Sequence, residues 1–356
     1  MNLSKLALAS LLLLAASAAR AAGDVVWKPD WAALKPVWKA RLAAAAKSGR
    51  PVIFDVESSF GETYMNVSAV LKTLEEHGVA LIAFSPDPDV PDETFDQWTD
   101  SWQGMMRRAH ELRPEMVFPT PPAGALREKG PGRDPIPDLK RGLALAEAAG
   151  YPMLGEYYFR HYSSDGNVRA GVKHDLTEPI DGEMGKILFE YSSRTGKAFQ
   201  IHYELEDALI APLETMLTRY PGAKVIWCHA GRLRRPELAP ETAKDEVAVL
   251  TRLLDAHPNL YFDFGSLSPG RYAGNGVPDS PIWDPATHRM RGDWQKMIVG
   301  HAWRFLAAED LGSDRAASAP AENRHMNMIL LELPPETRAI VGYRAAWKLL
   351  FGENIE

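Results

Sequence analysis

Eight short apolar runs, most of them followed by a segment with helical spacing, predict an α/β fold with parallel strands and helical crossovers. The count of eight points to a (β/α)8 TIM barrel with long loops after the strands and helices at the C-terminus. A doubly wound open sheet shows the same alternation, and periodicity alone does not separate the two. The 356 residues, 46% hydrophobic and 24% charged, suffice for one barrel with extensions and exclude a mainly disordered chain.

The runs follow in order. Residues 51–56 form the first expected strand, with an amphipathic helix over 67–77 stopped by Gly78. Residues 79–84 form the second, with a helix over 98–112. Residues 116–119 form a weak third, and a strong helix over 138–149 ends at Gly150. The fourth strand covers 153–159 and is followed by a helix over 182–195 ending at Gly196. Strands five, six and seven fall at 197–203, 224–228 and 259–264, after helices at 182–195, 208–220 and 242–256. A weaker eighth run spans 303–307, and terminal helices are expected at 325–333 and 335–350. Two segments rich in turn residues, 119–137 and 265–288, are long loops of the kind that carry lids or binding groups.

The N-terminus reads differently. Lys5 precedes an apolar run over residues 6–18, and Ala19-Arg20-Ala21 offers a small-residue cleavage site. This is the pattern of a secretory signal over residues 1–22, too short for a comfortable bilayer span. The remainder, 23–356, is expected to be one domain, periplasmic or secreted, with no membrane attachment after cleavage. The net charge of −7 speaks against nucleic acid as a partner, so a small-molecule substrate is expected. Cys228 is the only cysteine, which excludes an internal disulfide framework and a cysteine-rich zinc site.

Polar residues gather where the strands end. The first strand runs into Asp55-Val56-Glu57-Ser58-Ser59, and the fourth carries Glu156 before Arg160-His161. The fifth ends in His202, the sixth in Cys228-His229, the seventh in Asp263 and the eighth in Glu309-Asp310. In a parallel barrel these ends share one mouth, where chemistry sits. A lone strand-end histidine is more often a hydrogen-bonded core or loop residue than a ligand. Two at homologous strand ends, with two strand-end carboxylates, favour a site for Zn²⁺, Mn²⁺ or Fe²⁺.

The order of these residues resembles the amidohydrolase superfamily, in its amidohydrolase-related, metal-dependent branch. The resemblance rests on Ile53-Phe54-Asp55, Gly155-Glu156, Ile201-His202, Cys228-His229-Ala230-Gly231, and the run from Arg304-Phe305-Leu306 to Asp310. It implies a divalent metal held by Glu57, His202 and Asp310, with Glu156 and His229 as further ligands. It also implies that Asp310 moves the proton of the attacking water, and that His229 is a ligand or a donor to the oxyanion. The family's first strand has two histidines where this chain has Glu57 and Ser59. Glutamate is a reasonable replacement, found in decarboxylase members, whereas the Ser59 hydroxyl is a poor ligand. Arg160, His161 and Arg232 are candidates for holding an anionic substrate.

Three functions follow: an exported metal-dependent hydrolase of esters, lactones, amides or related bonds; a non-oxidative carboxy-lyase suggested by Glu57; or a catalytically degenerate binding protein suggested by Ser59.

Overall fold

The computed structural model describes residues 26–60, 66–86, 95–121, 134–163, 171, 175–233, 245–267, 281–284, 286–287, 289–312 and 319–355. The expected signal segment and most of both long loops lie outside the described residues.

Eight parallel strands dominate: β1 (Ile53–Phe60), β2 (Val79–Pro86), β3 (Val117–Pro119), β4 (Met153–Tyr158), β5 (Ala198–His202), β6 (Lys224–Trp227), β7 (Leu260–Asp263) and β8 (Phe305–Leu306). They form two arcs, β1-β2-β3 and β4-β5-β6-β7-β8, each in chain order. In the larger arc Met153 pairs with Ala198, Ala198 with Lys224, Val225 with Leu260 and Phe262 with Phe305.

Hydrogen bonds join the arcs at both ends. At one seam the Gly155 N–H donates to the Pro121 carbonyl at 3.1 Å, linking β4 to the end of β3. At the other, Val56 donates to Ala307 O (3.1 Å), Asp310 to Glu57 O (2.8 Å) and Ser59 to Leu311 O (2.7 Å). A buried bond from Gln200 Nε2 to Val56 O crosses from β5 to β1 at 3.0 Å. The expected barrel is therefore what the chain forms.

Helices α1 (Trp31–Ala46), α2 (Val67–Glu76), α3 (Phe95–Leu112), α4 (Ile136–Ala149), α5 (Glu183–Thr195), α6 (Asp207–Arg219), α7 (Glu246–Ala256) and α8 (Gly292–Gly300) surround the strands. Gly150 and Gly196 end α4 and α5 in the left-handed conformation, with φ of 76° and 68°, as the sequence suggested. The C-terminal region holds α9 (Ala319–Leu331), α10 (Pro335–Ala339), a π turn (Ile340–Arg344) and α11 (Ala345–Phe351).

Three readings change. Helix α1 has no counterpart in the sequence reading, because its apolar residues mark no single face and Pro36 interrupts it. It is positioned by tertiary bonds at the starts of strands: Trp38 Nε1 to Pro114 O and Trp31 Nε1 to Ala149 O, both 2.8 Å. The eighth run begins with a 3-10 turn, Ala302–Arg304, so its strand is shorter than expected. The first two strands also run further than expected, to Phe60 and Pro86.

Asp55 staples the β8–β1 seam. Its Oδ1 accepts from the N–H groups of Glu57 and Glu309, each at 3.0 Å, and its Oδ2 from Ser58 Oγ at 2.6 Å. Burial raises its pKa from 3.8 to about 7, against the pull of these bonds. Asp55→Ala leaves two buried N–H groups without acceptors and is expected to cost about 3–5 kcal/mol, read from the urea midpoint. Asp55→Asn retains an acceptor oxygen and is expected to cost less. The folded carboxyl holds its proton up to about 7 while the unfolded one releases it near 3.8. The Asp55 contribution to stability therefore falls as pH rises through that window, and the Asn variant is expected to lack this slope.

Candidate metal centre

The C-terminal ends of β1, β4, β5, β6 and β7 bring Glu57, Glu156, His202, Cys228, His229 and Asp263 together. Three overlapping groups have one ligand atom from each residue within 4.8 Å of the others: Glu156, His202 and His229; Glu57, Glu156 and Cys228; Glu57, His229 and Asp263. The pleat and the parallel register explain the convergence: Tyr158, just past Glu156, pairs with His202, and Ile201 pairs with Trp227 one residue before Cys228.

His229 has the most constrained position. It sits in the 3-10 turn Cys228–Gly231 with a positive φ of 60°. Its backbone N–H donates to Asp263 Oδ1 at 2.8 Å. Its Nδ1 lies 3.0 Å from the carbonyl of Gly265. A carbonyl only accepts, so Nδ1 carries a proton and Nε2 is the ring nitrogen turned to the cluster. That Nε2 faces His202 Nδ1 at 3.2 Å, Glu156 Oε1 at 3.3 Å and Glu57 Oε1 at 3.7 Å. Around a cation the same nitrogen would present its lone pair to the ion. A histidine whose other ring nitrogen bonds a backbone carbonyl is also how proteins orient metal ligands.

Glu57 makes the same point. Both of its oxygens are buried and, among the described residues, accept from no N–H or hydroxyl donor, with the Asp263 carboxyl beside them. Burial holds its carboxyl well above the usual range, and the charges of Asp263, Asp310 and Glu156 add to this. Gly265 provides the room: a Cβ there would overlap Glu57 Oε2 and stand 3.0 Å from the Cβ of Asp310. Burial likewise raises Asp263, against the opposing effect of His229. At Glu156 burial works upward too, but His202 and His229 outweigh it and hold the carboxyl well below the ordinary range. His202 Nδ1 lies 2.6 Å from Glu156 Oε1, and its Nε2 lies 3.5 Å from Glu204 Oε1. A divalent cation would oppose the upward shifts of Glu57 and Asp263. The donor set, imidazole with carboxylate, fits such an ion.

Asp310 stands beside the cluster. Its Oδ2 accepts from Ser266 Oγ, and its backbone has a φ of 48°. Among the described residues four non-glycine positions have positive φ, His229, Ala230, Ser266 and Asp310, and all lie at this mouth. Such conformations are costly and concentrate at functional sites. Ser59 is engaged through its backbone, by the bond to Leu311 O and pairing with Ser85.

The substrate-side candidates differ among themselves. His161 stacks on Tyr158 and its ring lies 4.5 Å from that of His202, at the edge of the cluster. Arg160 is tied to Glu206 at 2.6 Å and to Thr177 at 3.1 Å, and packs over Tyr162. Arg232 donates to Ser266 O at 3.1 Å, on the segment that also orients Asp310. Sequence reasoning noted Asp263 without placing it in the site and gave Cys228 no part there. The available clue was that each closes a strand, as His202 does.

Residues 138–293 match a family model described as Amidohydrolase. Over this segment the chain is similar to that family. The matched segment holds Glu156, His202, Cys228, His229 and Asp263, whereas Glu57 and Asp310 lie outside it. Similar solved structures include 2,6-dihydroxybenzoate decarboxylase from Rhizobium, 12% identical, covering 84% of this chain and 98% of that one, with a TM-score of 0.47. They also include 4-oxalomesaconate hydratase from Rhodopseudomonas palustris, 15% identical over 91% of this chain and 92% of that one, TM-score 0.46. A third is an amidohydrolase from Burkholderia multivorans with bound zinc, 10% identical over 83% and 99%, TM-score 0.44. No curated protein matches the sequence.

Proposed function

We propose that this amidohydrolase-superfamily protein is an exported, metal-dependent hydrolase acting on an ester, lactone, amide or related bond of a small molecule. The observation that carries the reading is His229, whose Nδ1 is fixed on the Gly265 carbonyl so that Nε2 faces Glu57, Glu156 and His202. Glu57, Glu156, His202 and His229 would hold the ion, with Asp263 fixing the His229 backbone. A bound Zn²⁺, Mn²⁺ or Fe²⁺ would acidify a water and polarise the scissile carbonyl.

The chain's own residues supply the rest. Asp310 accepts the water proton and returns it to the leaving group, with Ser266 Oγ holding its other face. The place of Nε2 among Glu57, Glu156 and His202 favours ligation by His229 over donation to an oxyanion. His161, whose ring lies 4.5 Å from that of His202, and Arg232, bonded to Ser266 O, are the groups we assign to a substrate anion. Arg160 is held by Glu206 and Thr177 instead. The apolar run and cleavage pattern of residues 1–22 support export to the periplasm or beyond.

Asp310→Asn is expected to retain its metal content and lose about 10²–10⁴-fold in kcat on whichever ester, lactone or amide a substrate panel identifies. Unchanged turnover would remove Asp310 from the reaction. Glu57 supports a second reading, the carboxy-lyase. Bicarbonate-dependent carboxylation of a phenolic acid, without hydrolysis of the panel, would select it. Protein that takes up neither Zn²⁺ nor Mn²⁺ on soaking would instead be a binding protein.

A further inference from the structure

Ser59 leaves the first strand short of a good donor, and β6 offers a replacement. We propose that the Cys228 thiolate is itself a ligand of the metal centre; the proposal rests on the metal-dependent reading above.

Cys228 opens the turn Cys228–Gly231 and is 1% exposed. Its Sγ and one oxygen each of Glu57 and Glu156 lie within 4.8 Å of one another. A buried cysteine ordinarily serves as a small hydrophobe. Such a role calls for apolar surroundings, yet this sulfur lies among the carboxyls of Asp263, Glu57 and Glu156. Its S–H has a single proton, shared with Asp263, and leaves Glu57 and Glu156 without a donor from this side chain.

An independent observation points to a cation at the same place. Glu57 is 7% exposed, and among the described residues neither of its oxygens accepts from an N–H or hydroxyl donor; its neighbour is another carboxyl, that of Asp263. A buried carboxylate with no donor is costly, and a cation between Glu57, Glu156 and Cys228 removes that cost. When the ion binds, the S–H bond is exchanged for an S–metal bond and the proton leaves to solvent. No oxidation or reduction is involved. A thiolate is a soft ligand, so its presence biases the centre toward Zn²⁺ over Mn²⁺. Cys228 and His229 would then be adjacent ligands from one turn, held apart by the positive φ of His229.

The test uses purified protein stripped of metal with a chelator and titrated with Co²⁺ alone. Cobalt bound to a thiolate adds an intense near-ultraviolet charge-transfer band to its visible bands, and nitrogen and oxygen ligands do not. The wild type is expected to show that band. Cys228→Ser and Cys228→Ala are each expected to lose it while still binding Co²⁺, and their preference for Zn²⁺ over Mn²⁺ is expected to fall. Wild-type protein that binds Co²⁺ with visible bands alone overturns the thiolate ligand and leaves the metal centre standing. Protein that binds no Co²⁺ overturns both. Because the wild-type spectrum decides, the result does not depend on how well either variant folds.

Discussion

His229→Ala is expected to lose metal and turnover together, each by more than about 100-fold, while the far-UV circular dichroism spectrum stays that of the wild type. Loss of a group that merely supports a metal ligand costs about 10–100-fold, and loss of the ligand exceeds this. The imidazole is the group that meets Glu57, Glu156 and His202 at once. Alanine at a φ of 60° also carries backbone strain, so His229→Asn is the better-behaved companion, since asparagine tolerates this region. Both variants are expected to be metal-poor by elemental analysis. Near-normal metal content in His229→Asn would show that the cluster does not depend on this ring.

The second large effect is expected from Gly265→Ala, which alters no charge and removes no ligand. The new methyl would overlap Glu57 Oε2 and approach Glu57 Cδ to 3.1 Å. Glu57 must turn away, or the segment carrying Ser266 must move, and either disturbs the carboxylates on both sides. Misplacement of about 1 Å at a reacting centre is enough for a loss of about 100-fold. Gly292→Ala, where a Cβ meets nothing within 4 Å, serves as the control. Turnover and Zn²⁺ affinity measured side by side would decide. If Gly265→Ala matches the control in both, Glu57 is free to swing aside and is no ligand.

Much of the fold was legible because strand and helix alternate with different hydrophobic periods and glycines mark the stops. Helix α1 escaped because its helical state is imposed by the bonds of Trp31 and Trp38, which no local pattern reveals. Barrel closure was equally invisible, since the bonds that close it join residues as far apart as Asp55 and Glu309. Within the site, Glu57, Glu156, His202 and His229 stood out as polar residues ending apolar strands. Asp263 shared that property but lacked a partner in the sequence to give it a role. Cys228 was obscured because a single cysteine normally signals core packing. Gly265 could not be found at all, because its importance lies in an atom it lacks.

The β8–β1 seam has a consequence for how the molecule matures. Glu57 belongs to the opening strand, whereas its neighbour Asp310 arrives near the end of synthesis, so a growing chain would own the proposed ligands before it owns the carboxylate that is to move the proton. An ion captured early would tie the opening strand to the turn after β6 across the mouth, and withdrawing it would loosen the end of that strand first.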